Sequence, residues 1–87
     1  MTVRGYTPLS KTEYTKTALV KKKIIDFDSI VSTSDTIPIS ELTALGSAHL
    51  AKKSDGSEVT CTVATNIITV TGAGLTDIAI VGSAYEA

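Results

Sequence analysis

An alternation of apolar and polar residues in the second half of the chain constrains the fold more than any other sequence feature. Val59, Cys61 and Val63 share one parity, and Ile68 and Val70 share the parity of a following segment, with threonines between them. Successive side chains of a strand point to opposite faces of a sheet. These segments are therefore predicted to be half-buried β-strands.

Turn signals separate the predicted strands. Asp55-Gly56 is a strong hairpin signal, Thr65-Asn66 predicts a tight reversal, and Gly72-Ala73-Gly74 predicts a break. The run from Asp77 to Ala84 consists mostly of small apolar residues, which is typical of a strand covered on both faces. Coverage on both faces in so small a domain suggests a partner.

The first half has a similar pattern. Ala18 to Ser32 is predicted to be a strand with a change of face, in which Ile25, Phe27 and Val31 point inward and Asp26 and Asp28 point to solvent.

Thr36 to Ser40 is predicted to be a short strand, and Pro38 predicts that it lies at a sheet edge or beside a bulge. Ser40 to Leu45 is interpreted as one helical turn that ends at Gly46, and Ser47 to Lys53 as a further strand.

The N-terminal segment differs from the rest in charge and in pattern. Residues 1–23 hold six basic side chains against one acidic side chain, a net charge of +5, whereas residues 24–87 carry −6. Such an asymmetry favours head-to-tail contacts between copies; alternatively, the lysines only keep the segment soluble. Residues 1–17 are predicted to be an extended arm, because Gly5, Pro8 and sparse apolar residues interrupt any regular element.

The fold prediction is a single, mainly β domain of 87 residues. Residues 18–87 are expected to form a small antiparallel β-sandwich or barrel, jelly-roll-like, behind the extended arm at residues 1–17. Residues 1–20 lack the apolar core of a signal peptide, and no apolar run is long enough to span a bilayer, so a reducing, soluble compartment is expected.

Residues that could carry chemistry are few. His49 has no metal-ligand cluster at suitable spacing, and Cys61 is interpreted as an inert thiol on the inward parity of its strand. Asp26 and Asp28 could share a cation, but a solvent-facing pair is the favoured interpretation. Gly72-Ala73-Gly74-Leu75 lacks the ending of a phosphate loop. We therefore expect no catalytic residues, no metal, no cofactor and no enzyme activity.

The arm is the predicted partner interface. Its basic groups and tyrosines could track a single nucleic-acid strand, but a sequence pI near 5.7 argues against nucleic acid as the partner. Tyrosine and arginine are common anchors of protein interfaces. We expect the arm to lie across a neighbouring subunit, where its backbone could also add a strand to a sheet edge. The predicted interface residues are Arg4, Tyr6, Leu9, Tyr14 and Lys16.

Two segments carry a family resemblance. One runs from Lys23 to Val31 (KIIDFDSIV) and is followed by Asp35 to Ile39 (DTIPI). The other runs from Asn66 to Thr71 (NIITVT) and is followed by Gly74 to Ile78 (GLTDI). Together they resemble small structural proteins of tailed bacteriophages, in particular head decoration (cement) proteins, over about half of the chain. With 87 residues the chain is short for that group.

The resemblance implies a non-enzymatic virion protein that binds and stabilises the capsid surface after synthesis in the cytoplasm of the bacterial host. The implied partners are the major capsid protein or other virion subunits, and the chain is expected to form a homo-oligomer, with a trimer as the guess. A tail, baseplate or fibre-associated protein is the alternative within the class. From another class, a stand-alone sugar- or peptide-binding module is the alternative, although three tyrosines and no tryptophan argue against a sugar site.

Overall fold

The computed structural model describes the backbone of residues 2–17 and 20–87 and the side chains of residues 2–12 and 22–87. Strands account for 61% of the chain, and no helix occurs in this described part. The described residues form eight strands: β1 Thr7–Thr17, β2 Val20–Val31, β3 Thr36–Pro38, β4 Leu45–Lys52, β5 Glu58–Val59, β6 Cys61–Ala64, β7 Ile67–Val70 and β8 Ile78–Glu86.

The strands form two sheets in which every neighbouring pair is antiparallel. One sheet has five strands in the order β1-β2-β8-β4-β5, and the other has three in the order β3-β7-β6. The predicted mainly β, antiparallel fold is confirmed. The sheets do not close into a barrel, and the arrangement is compatible with a small β-sandwich.

A single apolar core contains buried side chains from both sheets. The inward parity predicted for β2 is confirmed, because Ile25, Phe27 and Val31 are completely buried. Phe27, the phenylalanine of this core, lies opposite Gly82 of β8. A Cβ atom at position 82 would lie 2.5 Å from Phe27 Cζ, so the core requires glycine there.

The predicted turns and edges are confirmed. Asp55-Gly56 lies between β4 and β5, where Gly56 has a φ of 77° that favours glycine. Thr65-Asn66 joins β6 to β7 as a two-residue hairpin. Pro38 ends β3, which is an edge strand of the three-stranded sheet.

The predicted helical turn over Ser40 to Leu45 is wrong. Residues 40 and 41 form a turn that no helix follows. The N–H of Leu42 donates to the carbonyl of Ile39 at 3.1 Å, and the N–H of Leu45 donates to the carbonyl of Thr65 at 2.6 Å. Leu45 therefore bonds to the β6–β7 turn and begins β4, and both leucines are buried in the core.

The expectation that β8 is covered on both faces needs correction for the chain by itself. Ile80, Gly82 and Ala84 are buried, whereas Ala79 and Tyr85, of the opposite parity, are exposed. The three-stranded sheet covers only one face of the five-stranded sheet, so β8 has a second face with no cover from the chain's described residues.

The division between an arm at residues 1–17 and a body at residues 18–87 stays a prediction, and residues 18 and 19 lie outside the described residues. Thr7–Thr17 forms β1, which pairs along its length with β2 and shifts register between Pro8 and Ser10 and between Thr15 and Thr17.

Candidate functional site

The uncovered side of the five-stranded sheet is the first candidate site, and we call it the outer face. Strand register, burial and the contact of Lys53 with Asp28 place on it the residues Thr7, Leu9, Ser10, Thr12, Ile24, Asp26, Asp28, Ile30, Ser47, His49, Ala51, Lys53, Ala79, Val81, Ser83 and Tyr85. Leu9 is 55% exposed, Ile30 51% and Tyr85 36%. The outer face therefore presents apolar side chains to solvent from three different strands.

Asp26 lies near the middle of the outer face and has hydrogen-bond partners on both neighbouring strands. Its two carboxylate oxygens accept from Ser83 Oγ at 2.6 Å and from Ser10 Oγ at 2.7 Å. These bonds, that from Ser83 first, hold the pKa of Asp26 below its usual value. The carboxylate is thus bound to groups of its own sheet.

Asp28 lies two residues further along β2, on the same face. Its Oδ2 atom is 3.1 Å from Lys53 Nζ, whereas its Oδ1 atom is buried without a hydrogen-bond partner. The pair borders an open groove of about 610 Å³, which Ile30 and Tyr6 also line.

The possible cation site at Asp26 and Asp28 has the predicted same-face geometry, but each carboxylate is bound to different groups. Among the side chains that the structure describes, no group of three or more His, Cys, Asp or Glu residues is placed to hold a metal ion.

The second candidate site is the contact of residues 2–4 with the body, which we call the N-terminal clasp. Val3 forms a parallel bridge with Thr36 at the edge of β3. The N–H of Arg4 donates to the carbonyl of Thr36 at 2.7 Å, and the N–H of Thr36 donates to the carbonyl of Thr2 at 2.9 Å. Residues 2–4 thus extend the three-stranded sheet at its β3 edge.

The Arg4 side chain completes the clasp by bridging two carboxylates. Its Nε lies 2.6 Å from Asp35 Oδ2, and its Nη2 lies 2.7 Å from Asp77 Oδ1. Asp35 is only 3% exposed, and its Oδ1 also accepts from the N–H of Thr2 at 3.1 Å. The backbone hydrogen bond from Ser32, together with the contacts to Arg4 and Thr2, holds the pKa of Asp35 below its usual value despite burial.

The structure places the predicted interface residues in different surroundings. Arg4 binds Asp35 and Asp77 within the chain, and the Tyr6 ring packs edge-on against Phe27 with centroids 5.6 Å apart. Leu9 is exposed on the outer face. The side chains of Tyr14 and Lys16, whose backbones belong to β1, lie outside the described ones. The interface role of all five residues stays a prediction.

Sequence analysis missed the outer face as a candidate surface. The signal was present: Ile24 and Ile30 share the parity of Asp26 and Asp28, and Val81 and Tyr85 alternate with the buried residues of β8. It was not used because the same run was interpreted as a strand covered on both faces.

His49 and Cys61 do not form a reactive pair. His49 is on the exposed side of β4, with its Nε2 3.8 Å from Glu58 Oε2. Cys61 is half-buried on β6, as its inward parity predicts, and its thiol contacts the carbonyl of Ala48 at 3.8 Å. Burial and, to a lesser extent, Glu58 raise the pKa of the Cys61 thiol, which disfavours the nucleophilic thiolate.

Neither a protein-family model, nor a curated protein, nor a solved structure matches this chain. Within residues 2–17 and 20–87, no helix has the length and apolar character needed to cross a membrane.

Proposed function

We propose that this chain is a non-enzymatic structural subunit that binds other protein subunits through its outer face. In the form that the family resemblance favours, it is a decoration protein that binds and stabilises the capsid of a tailed bacteriophage. The observation that supports the proposal best is the exposure of Leu9, Ile30 and Tyr85 on one face of a sheet whose other face forms the core.

The outer face has the dimensions of a protein interface. Strands about 4.8 Å apart and about 3.4 Å per residue give a five-stranded sheet of this length a face of roughly 600–700 Å². A standard interface buries about 800 Å² on each partner. One sheet face and its rim are therefore large enough for a specific contact.

Pairing among the polar side chains of the outer face limits the free-energy cost of covering them. Asp26 is bound to Ser10 and Ser83, and Asp28 is paired with Lys53. Burying a charge is costly chiefly when that charge has no partner. A partner surface that is mostly apolar could therefore cover Asp26, whose two carboxylate oxygens both have donors, without having to neutralise it.

A symmetric shell would multiply the effect of a modest contact. Many copies of the major capsid protein present the same surface repeatedly, and an oligomer of this chain, for example a trimer, would bind several neighbours at once. Simultaneous engagement of linked sites can exceed the affinity of a single site by about 10²–10⁴-fold. Reinforcement of a shell therefore does not require a tight individual interface.

The test is to find the chain in purified particles. Virions of the phage that carries this coding sequence would be separated into heads and tails, and the chain would be quantified by mass spectrometry against the major capsid protein. The proposal predicts the chain in heads, in a fixed ratio to the capsid protein. Recovery with tails would support the tail or fibre alternative, and absence from both fractions would contradict a virion role.

A further inference from the structure

We infer that the β3 edge with Asp35 and Asp77 is an acceptor site for an arginine-bearing extended segment, and that copies of this chain exchange residues 2–4 through it. In this arrangement the β3 edge, Asp35 and Asp77 of one copy hold residues 2–4 of a second copy. The inference concerns contacts between identical chains and does not depend on the capsid as a partner.

The acceptor is organised by the body alone. Asp35 is fixed by its own N–H, which donates to the carbonyl of Ser32 at 3.1 Å, and by its carbonyl, which accepts from the N–H of Val70 at 2.8 Å. Its Oδ2 accepts from the N–H of Ser32 at 2.9 Å. The N–H of Asp77 donates to Ser32 Oγ at 2.8 Å. These contacts orient the Asp35 carboxylate and fix the Asp77 backbone without any contribution from residues 2–4, and Asp77 Oδ1 also accepts from Ser32 Oγ at 3.4 Å.

The segment that occupies the acceptor is held by polar contacts, some to the buried Asp35 and one to the exposed Asp77. Val3 is 70% exposed and adds little apolar burial. Two backbone hydrogen bonds, the Thr2 N–H and the Arg4 side chain account for its attachment. The ion pair with Asp77 is exposed and contributes modestly, because water competes for the same groups. The buried Asp35 carboxylate requires a donor, so an empty acceptor is disfavoured and residues 2–4 of either copy would fill it. Because Val3 is mostly exposed, replacing residues 2–4 by those of a second copy leaves the core intact.

Gly5 marks the point at which the segment can separate from the body. A Cβ atom at Gly5 would meet nothing within 4 Å, so the side-chain direction of this residue faces open space. Its carbonyl accepts from Ser29 Oγ at 2.7 Å, and the next residue, Tyr6, packs on Phe27. The chain is thus anchored from Gly5 onward and is free to redirect on the N-terminal side.

Exchange replaces each contact with an identical one from a second copy, as in other domain swaps. Three residues span at most about 10 Å, so the acceptor of the second copy must lie within about that distance of Gly5. When an assembly holds two copies side by side, residues 2–4 of one copy reach an effective concentration of about 1 mM at the acceptor of the other. Under such conditions the contact between copies competes with the contact within one chain.

Two single-cysteine variants test exchange directly. Val3→Cys and Thr36→Cys would each be made in a Cys61→Ser background, one uniformly labelled with ¹⁵N, and mixed at about 1 mM before mild oxidation. Because each chain has only one thiol, a Val3→Cys to Thr36→Cys disulfide joins two copies. Intact mass spectrometry separates this mixed pair from the two like pairs by its isotope content.

The inference predicts that the mixed pair exceeds by at least fivefold the pair formed by Val3→Cys with Thr62→Cys, an exposed control position on β6. Adding Arg4→Ala to the Val3→Cys chain should reduce the mixed pair to the control level. In the double variant Val3→Cys/Thr36→Cys, a disulfide within one chain reports the competing contact of residues 2–4 with their own body. If this disulfide forms within one chain while the mixed pair stays at the control level, residues 2–4 remain bound to their own body. That result would overturn the inference that copies exchange them.

Discussion

Gly82 lies opposite Phe27 in the pairing of β2 with β8, and the Phe27 ring fills the space that a side chain at position 82 would take. An alanine Cβ there would lie 2.5 Å from Phe27 Cζ and 2.7 Å from Leu50 Cδ2. Both contacts are shorter than van der Waals separation, and neither side chain can move without disturbing the core.

Gly82→Ala is therefore expected to destabilise the fold by about 1–3 kcal/mol, the usual cost of an overpacked core. The melting temperature should fall by about 4–8 °C for each kcal/mol in a domain of this size. Gly5→Ala is the matched control, because a Cβ at Gly5 meets nothing within 4 Å. Equal melting temperatures for the two variants would contradict this account of the core.

The Asp35 carboxylate makes the free energy of unfolding depend on pH. Its pKa is held below the usual carboxyl value, so it binds a proton more readily in the unfolded chain than in the folded one. The resulting stabilisation is complete above the unfolded pKa of about 3.9 and is lost as the pH falls toward the lower, folded pKa.

Asp35→Asn should accordingly lower the melting temperature at pH 7 and reduce its decline between about pH 5 and pH 3. Thermal unfolding followed by circular dichroism across that range measures both effects. Glu41→Gln serves as a control, because Glu41 is exposed and its carboxylate lies 3.8 Å from Lys11 Nζ, too far for a hydrogen bond. A pH profile for Asp35→Asn parallel to that of the unchanged protein would argue against the role assigned to this carboxylate.

At the scale of elements, local patterns predicted the parts of the fold that local forces determine. The alternation around Phe27 predicted the buried face of β2, and Asp55-Gly56 and Thr65-Asn66 predicted two turns. The prediction of a helical turn over Ser40 to Leu45 was wrong because a bond from Leu45 to Thr65, twenty residues away, decides the local structure.

Sequence patterns could not predict contacts between residues that lie far apart in the chain. The Arg4 side chain meets Asp35, 31 residues away, and Asp77, 73 residues away, and no periodicity relates these positions. The insertion of β8 between β2 and β4 is equally nonlocal. For these reasons the sequence suggested an arm that binds a partner, but not the acceptor on its own body.

The N-terminal clasp depends on a planar side chain that donates to two carboxylates at once. A lysine ammonium is a compact charge that lacks this fork, so Arg4→Lys should weaken the attachment of residues 2–4. We expect the amide of Thr36, which donates to Thr2, to exchange with deuterium at least tenfold faster in Arg4→Lys. The amide of Val70, which donates to Asp35 within the body, is the internal control. Unchanged exchange at Thr36 would show that the backbone alone holds the segment.

The outer face can be tested with two isoleucines on opposite sheets. Ile30 is 51% exposed on the outer face, and Ile67 is 37% exposed on the three-stranded sheet. Ile30→Lys should weaken binding to capsids at least tenfold in a sedimentation assay, because it places a charge within the apolar contact. Ile67→Lys should bind as the unchanged protein does, and both should unfold within about 0.5 kcal/mol of it. Equal binding by the two lysine variants would contradict the assignment of the outer face.

At the scale of the whole molecule, the fold uses one face of its larger sheet for the core and leaves the other face open. Leu9, Ile30 and Tyr85 give that open face an apolar character, while Asp26 and Asp28 are bound to neighbouring side chains. The same chain carries its own extended segment on a sheet edge. Under the two proposals, these surfaces make different contacts, one with a partner subunit and one with an identical copy.

The most direct test of the central claim is a cryo-electron microscopy reconstruction of heads from the phage that the proposed function assigns as the source of this coding sequence, compared with heads from a deletion of that sequence. The account predicts extra density at symmetric positions on the shell of the unmodified heads, fitted by this fold with its outer face against the capsid protein. Loss of the density on deletion would assign it to this chain. Identical maps, or density that contacts the shell through the three-stranded sheet while the outer face points to solvent, would contradict the claim.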